Sequence, residues 1–324
     1  MNLEPSESQN EIAAVAGSFL AKTLPTSRLR ELASAPAGDA LDEHTWRTCA
    51  ELGWLALGLE ERAHGLGLGL PEEAMLFREL GRHLAPGPFR STVLAAHLAS
   101  RAGNLELAAA IASGQQRVGM ITAGVAIDAR PGDLALRFGD RSAELLEVTA
   151  AEPVAGVDPG TRFARIETGR QIAATPAPRL LDRARILVAA ELLGIIEAVR
   201  DMSSEYARTR TQFGKPIGAF QAVKHRCADM AVAAYSTIGQ VFMAALLVQA
   251  EAPDATFQAA AAHLLAVEGA SRSTADNIQN HGGIGFTWEH DAHLFLKRSF
   301  LLEHLIGGRP ASRRAILEAP HQFG

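Results

Sequence analysis

The sequence predicts a mostly α-helical protein with a small β domain set in its middle. Three observations lead there. Ala and Leu dominate a composition that is only 6% aromatic, which favours helix over sheet. Long stretches with apolar residues at helical spacing open and close the chain. Between them, from Arg117 to about Ala177, short apolar or alternating runs are broken by Pro-Gly, Gly-Asp and Asp-Pro-Gly, which are strand and turn signals. A chain of 324 residues is too long for one small core, so two or three domains are expected. The texture divides it into an N-terminal helical domain at 1–117, a reduced β domain at 118–177 and a C-terminal helical bundle at 178–324.

In the first zone Glu11–Leu20 is amphipathic, Asp42 can cap a helix running through Leu52, and Glu72–Leu84 repeats apolar residues at helical spacing. Gly-rich turns, "AHGLGLGLP" and "HLAPGPF", lie between these elements, and no heptad or longer repeat emerges. The middle zone holds "RVGMITAGVAI", "DLALRFGD", "AELLEVTA" and "RFARIETG" as strand segments. The last zone offers four helical segments, Leu181–Arg208, Phe220–Glu251, Ala255–Gln279 and His290–Leu305, enough for a four-helix bundle. Met230–Ala250 carries no charge over a length that could cross a bilayer. Tyr235, Ser236, Thr237, Gly239, Gln240 and Gln249 interrupt it, so a buried bundle helix, not a membrane span, is expected.

A formal net charge of −5 argues against nucleic acid as a partner, since phosphate binding relies on a basic surface. Cys49 and Cys227 are far apart and form no CxxC, which fits a reducing cytoplasm and offers neither a disulfide framework nor a zinc site. The N-terminal "MNLEPSESQNEIAAVAG" lacks the basic and apolar regions of a signal peptide, so a cytoplasmic location is expected. His290, Asp291 and His293 have metal-like spacing but no further ligand is evident, and no metal is expected. His225 reads as an ordinary core or surface histidine, and no G-x-S-x-G or catalytic cysteine context occurs.

Two stretches carry candidate chemistry. "RTRTQFGKPIGAFQAVKH", residues 208–225, follows a long apolar helical pattern. Arg210 offers a planar fork of donors suited to phosphate, and Phe213 a flat apolar face beside it. A helix end decorated with arginines that meet its dipole is the plainer reading. In "NIQNHGGIGFTWEH", residues 277–290, Gln279 ends a helix. Gly282, Gly283 and Gly285 allow close approach of backbone to a ligand, and successive N–H groups can cradle an anion. The glycines follow a helix and lack GxGxxG spacing, which excludes a Rossmann site. Taken singly, a glycine C-cap explains this stretch equally well.

Taken together and in order, the two stretches resemble the acyl-CoA dehydrogenase family. "YARTRTQFGKPIGAFQAVKHRCADM" is similar to its Y-x-x-x-R-x-Q-F-G-x-x-[IL]-x-x-F-Q signature with the closing A-D-M. "NIQNHGGIGFTWEHDAHLFLKRS" is similar to its Q-x-x-G-G-x-G-[YF]-T-x-E segment, which closes with an arginine, here Arg298. "LGWLALGLEERAHGLGLGLPEEAMLFRELGRHLAPGPF" resembles the entry domain. The resemblance implies the same three-part architecture, FAD as cofactor and α,β-desaturation of an acyl-CoA thioester. It implies that Arg210 meets the FAD pyrophosphate, that Gln212 and Phe213 line the nucleotide, and that Gln279, Gly282 and Gly283 hold the ADP half. In the family these contacts reach across a subunit interface to an FAD bound mainly by the neighbouring chain.

The chain departs from the pattern where the base should be. The family's glutamate stands either in a Y-E-G-T-x-E-I stretch, where "LIGGRPASRRAIL" places Ala311 near the position, or at the opening of the first bundle helix, where Ala184 stands. Asp182 is two residues from Ala184, a spacing that turns it to another helix face; the catalytic base is therefore unassigned, Asp182 is the first candidate for a relocated one, and a solvated N-cap is its plainer role. The segments that cover the flavin ring, T-E-x-x-x-G-S-D and W-I-T, are not found. Surviving cross-interface contacts beside a missing base imply one partner of an α2β2 heterotetramer, donating its motifs to an FAD seated in a homologous subunit. A homo-oligomer with a relocated base, a flavin-free scaffold and a flavin monooxygenase of the same fold are the alternatives.

Overall fold

The structure, a computed structural model, describes residues 5–34, 40–139 and 141–319. Six helices form the N-terminal unit: α1 (Glu7–Thr23), α2 (Ser27–Ser34), α3 (Glu43–Glu51), α4 (Leu70–Arg82), α5 (Phe89–Arg101) and α6 (Leu105–Ala112). Their starts are set by local chemistry. Ser6 and Gln9 close a reciprocal capping box on α1, and the Asp42 carboxylate accepts the Thr45 N–H at 2.8 Å, capping α3 as the sequence predicts. Trp46, Trp54 and Phe89 pack with ring centroids 5.4–6.0 Å apart in the unit's core.

The chain then forms β1 (Val118–Thr122), β2 (Val125–Ile127), β3 (Leu134–Phe138), β4 (Ser142–Val154) and β5 (Phe163–Pro176). They close into a barrel in the order β1-β2-β5-β4-β3. The pairings are antiparallel except between β1 and β3, which run parallel with Val118 opposite Leu134. Closure at the β2–β5 seam is short: β2 pairs with only Phe163 and Ala164, and the rest of β5 pairs with β4 alone. Small side chains, Ala126, Ala129, Ala135 and Val148, fill one cluster of this unit.

The bundle comprises α7 (Ala177–Thr209), α8 (Gln221–Gln249), α9 (Ala255–His281) and α10 (Ala292–His304), followed by a short α11 (Gly308–Glu318). The four expected segments are present, and α11 was not foreseen. α7 follows β5 without a linker, so it starts earlier than the spacing suggests. Its central stretch, from Ala184 to Ile196, is fully buried. α4 and α7 cross so closely that a Cβ on Gly81 would overlap the Glu191 carbonyl, and one on Gly194 the Arg78 carbonyl. Arg78 grips Glu197 through two bonds of 2.6 and 2.8 Å beside that crossing.

α8 corrects one expectation. It is long and apolar enough to cross a membrane, yet only 33% of its most apolar window is buried inside the chain. Val232 and Tyr235 stand 64% and 83% exposed. The charge-free stretch therefore reflects an outward apolar face as well as a core-facing one.

Candidate functional site

α7 ends where Arg210 turns the backbone from helical to extended, its N–H still donating to the Tyr206 carbonyl at 2.9 Å. A two-stranded hairpin that sequence reasoning missed follows: β6 (Thr211–Gln212) pairs with β7 (Lys215–Pro216), Gln212 opposite Lys215. Its two-residue turn, Phe213-Gly214, has φ of +52° and +78°, the left-handed pair that matches strand twist. Glycine adopts this backbone without strain; phenylalanine does not. Phe213 is nonetheless held there, 90% exposed, with only an edge contact to Phe220 at 6.1 Å. Arg210 and Gln212 are exposed, and the Gln212 side chain reaches no further than the Thr211 carbonyl.

The second stretch lies at the end of α9. The helix continues to His281, so exposed Gln279 sits in its last turn and does not end it. Gly282 breaks the helix at φ +65°, a conformation that favours glycine. A Cβ at Gly282 or at Gly283 would meet no described atom within 4 Å, whereas one at Gly285 would press on the Ile278 carbonyl. Neither crowding from its own chain nor a positive φ demands glycine at 283. An exposed, uncrowded turn of this kind suits close approach by a group from outside the chain. Tyr206 and His281 stack with ring centroids 4.3 Å apart, which brings the Arg210 hairpin and the Gly282–Gly283 turn to one end of the bundle. A donor fork, an exposed aromatic ring and an open glycine turn fit the phosphate and nucleotide portion of FAD, presented from an outer surface.

Asp182 is placed differently from the expectation. It is not a solvated N-cap: α7 begins at Ala177, and Asp182 lies in its second turn, 4% exposed. One carboxylate oxygen accepts from Arg185 at 2.9 Å and the other from Thr256 at 2.6 Å. Burial raises its pKa against those bonds, and both oxygens are turned to partners of its own chain. Two other buried carboxylates, Glu191 and Glu73, are similarly engaged. Glu191 pairs with Arg90 at 2.5 Å, and Glu73 lies between His97 at 2.8 Å and Arg183. Burial works against the Glu73 charge, but Arg183 and His97 hold its pKa down to about 2.

A 920 Å³ cavity opens between the N-terminal unit and the barrel, with Arg117, Asp128, Arg130, Phe163, Trp288 and Lys297 in its wall. Arg210, Gln212, Phe213, Gln279, Gly282, Gly283 and Asp182 are all absent from that wall. Asp128 is the cavity residue that sequence reasoning overlooked. Burial pushes its carboxyl up to about 6, while the Arg162 N–H it accepts at 3.0 Å opposes the shift. Its φ of +52° was the kind of signal that only coordinates reveal. Arg298, the arginine that closes the second motif, is buried: it pairs with Asp158 of the barrel loop and donates to the Ala85 carbonyl at 3.0 Å. It therefore staples the bundle to the barrel and the N-terminal unit. Among the described residues, no group of three His, Cys, Asp or Glu side chains converges to hold a metal ion.

The family model for the acyl-CoA dehydrogenase C-terminal domain matches residues 176–319, and that for the N-terminal domain matches 6–113. The chain is 37% identical over 309 residues to the acyl-CoA dehydrogenase IpdE2 of Mycobacterium tuberculosis, covering 92% of each protein. A chain in the crystal structure of the ChsE4-ChsE5 complex, also from Mycobacterium tuberculosis, superposes with a TM-score of 0.84 at 25% identity. That match spans 99% of this chain and 100% of the other. Butyryl-CoA dehydrogenase from Megasphaera elsdenii shares the fold, with a TM-score of 0.81 at 20% identity over 98% of both chains.

Proposed function

The chain belongs to the acyl-CoA dehydrogenase family, and from that premise we propose that it is the subunit of a heteromeric, FAD-dependent acyl-CoA dehydrogenase that carries no catalytic base. Its partner is a homologous subunit, in an α2β2 arrangement, that seats most of the flavin and supplies the carboxylate. FAD, when bound, accepts the hydride in α,β-desaturation of the acyl-CoA. This chain's residues would hold it across the subunit interface. Arg210 meets the pyrophosphate with its fork of donors. Phe213 and Gln212 cover the nucleotide and exclude water from it. Gln279 and the Gly282–Gly283 turn receive the ADP half.

One observation carries this reading: the six residues assigned to the flavin, Arg210, Gln212, Phe213, Gln279, Gly282 and Gly283, are all exposed, and none of them borders the 920 Å³ cavity. A self-contained flavin site would gather them around it. The unburied apolar flank of α8, which follows the hairpin, gives a partner subunit a surface to cover. The ChsE4-ChsE5 complex, a two-protein assembly whose chain shares this fold, supports the same arrangement. If the chain instead turned over a ligand in its own cavity, Asp128, and not Asp182, would be the group placed to take a proton. Replacing Arg210 by Ala in the complex co-purified with a full-length homologue tests the proposal. Loss of FAD from an intact complex is expected; unchanged flavin content would favour a scaffold whose motifs only pack.

A further inference from the structure

One imidazole touches both segments that the proposed function assigns to the flavin. His281 is the last residue of α9 and immediately precedes Gly282, and it is 5% exposed. Its ring lies nearly parallel to that of Tyr206, with 4.3 Å between centroids and 23° between planes. Tyr206 stands one helical turn before Arg210, whose N–H it accepts. The same ring lies 4.3 Å from that of His290, tilted by 44°. His281 and His290 bracket the loop that carries Gly282 and Gly283, so their contact closes the loop at its neck.

Backbone groups fix both rings. The His281 Nδ1 lies 2.8 Å from the Asn277 carbonyl; a carbonyl only accepts, so Nδ1 carries the proton. The His290 Nδ1 accepts the Ala292 N–H at 3.1 Å, which puts its proton on Nε2. Burial is the main force holding both pKa values below the ordinary imidazole range. For His281, the Asn277 bond opposes and His290 adds to the lowering; for His290, Asp291 opposes and Arg30 adds. At neutral pH the two rings are therefore uncharged plates that pack against each other and against Tyr206.

We infer that His281 is a positioning residue of the shared flavin site: its ring registers the Arg210 hairpin, through Tyr206, against the Gly282–Gly283 turn. The inference rests on the proposed function, because it assigns His281 no contact with FAD of its own. The two ligand-facing segments share no hairpin or sheet with each other, and each is exposed. Ser203, about one turn before Tyr206, already ties α7 to α9 by donating to Asn277 at 2.8 Å and accepting from Asn280 at 3.3 Å; the ring stack carries that register on to the exposed ends, which a bridging phosphate would otherwise have to order on binding. Side chains that must be ordered on binding, and are not preset, cost affinity.

The test uses the co-purified complex of this chain with its full-length partner, stripped of flavin and titrated with FAD. His281→Ala and Tyr206→Leu should each weaken FAD binding by about 10- to 100-fold, as expected when the Arg210, Gln212 and Phe213 side chains must be ordered by the ligand, with assembly intact. Combining them should add little, since both remove one contact. His281→Phe keeps a ring but loses the Nδ1 proton, and should bind FAD close to wild type. Three results overturn the inference: His281→Ala binding FAD as wild type while Arg210→Ala does not, His281→Phe failing as badly as His281→Ala, or all three variants losing the partner as well as FAD. Wild-type binding by Arg210→Ala would overturn the proposed function, and this inference with it. Should His281→Ala fail to fold, Tyr206→Leu and His281→Phe still decide the matter.

Discussion

Gly81 of α4 rests directly on the backbone carbonyl of Glu191 in α7, with no space for a methyl group between them. Gly194 makes the reciprocal approach to the Arg78 carbonyl. This crossing joins the N-terminal unit to the bundle. Gly81→Ala or Gly194→Ala would force backbone apart, and each should destabilise the chain by about 3 kcal/mol or more. Thermal unfolding of the purified variants measures it.

Phe213 should show a trade between stability and function. Relieving its left-handed backbone with Phe213→Gly is expected to stabilise the isolated chain by about 1 kcal/mol, because an almost fully exposed ring has little packing to lose. The same change should weaken FAD retention in the complex. Urea unfolding and flavin titration together check the pair of outcomes.

Glu73 is 1% exposed and shared between His97 and Arg183. Glu73→Ala leaves the part-buried Arg183 guanidinium and the buried His97 ring without their partner and should cost about 3 kcal/mol. The pH dependence follows from its depressed pKa. Stability from a carboxylate lowered from 4.5 to about 2 is fully present above 4.5 and is lost as pH falls towards 2. Glu73→Gln should remove that part of the acid-side loss, read from unfolding curves at a series of pH values.

His263 acts in a neighbouring window with the opposite residue type. It is fully buried, bonded to Ser312 at 2.8 Å, and burial, aided by the Arg185 charge, lowers its pKa from 6.5 to about 4. Between those values the unfolded chain takes up a proton that the folded chain refuses. Stability should therefore fall as pH drops from 6.5 to about 4, and His263→Asn should lessen that fall.

Asp128 separates the shared site from a self-contained one. Asp128→Asn retains the oxygen that accepts the Arg162 N–H, so folding should be little affected. The shared-site account expects the complex to keep both its FAD and its turnover. Lost turnover with flavin retained would point instead to chemistry in the 920 Å³ cavity.

Much of this was legible because the signals are local. Asp42 three residues before Thr45 announces a cap, and the 3.6-residue rhythm of α4, α7 and α9 marks helices whatever surrounds them. What escaped depends on distant residues or on very short elements. The β6–β7 hairpin has two residues per strand, too few for any alternation to register. Asp182 reads as a solvated cap until Thr256, 74 residues away, is seen to bind it. Barrel closure rests on a parallel pairing of β1 with β3 that no local pattern encodes. Composition marked α8 as apolar but could not tell which of its faces the chain itself covers. The residues assigned to the flavin were identifiable by type and order; that they face outward required the fold.

The central claim, that this chain holds half of a shared flavin site, is tested most directly by flavin content. The chain should be purified alone and in complex with a full-length homologous subunit, and bound FAD measured by absorbance against protein. The account predicts little or no flavin on the chain alone and one FAD per pair of subunits, with dehydrogenase activity, in the complex. Stoichiometric FAD and acyl-CoA dehydrogenase activity in the isolated chain would contradict it.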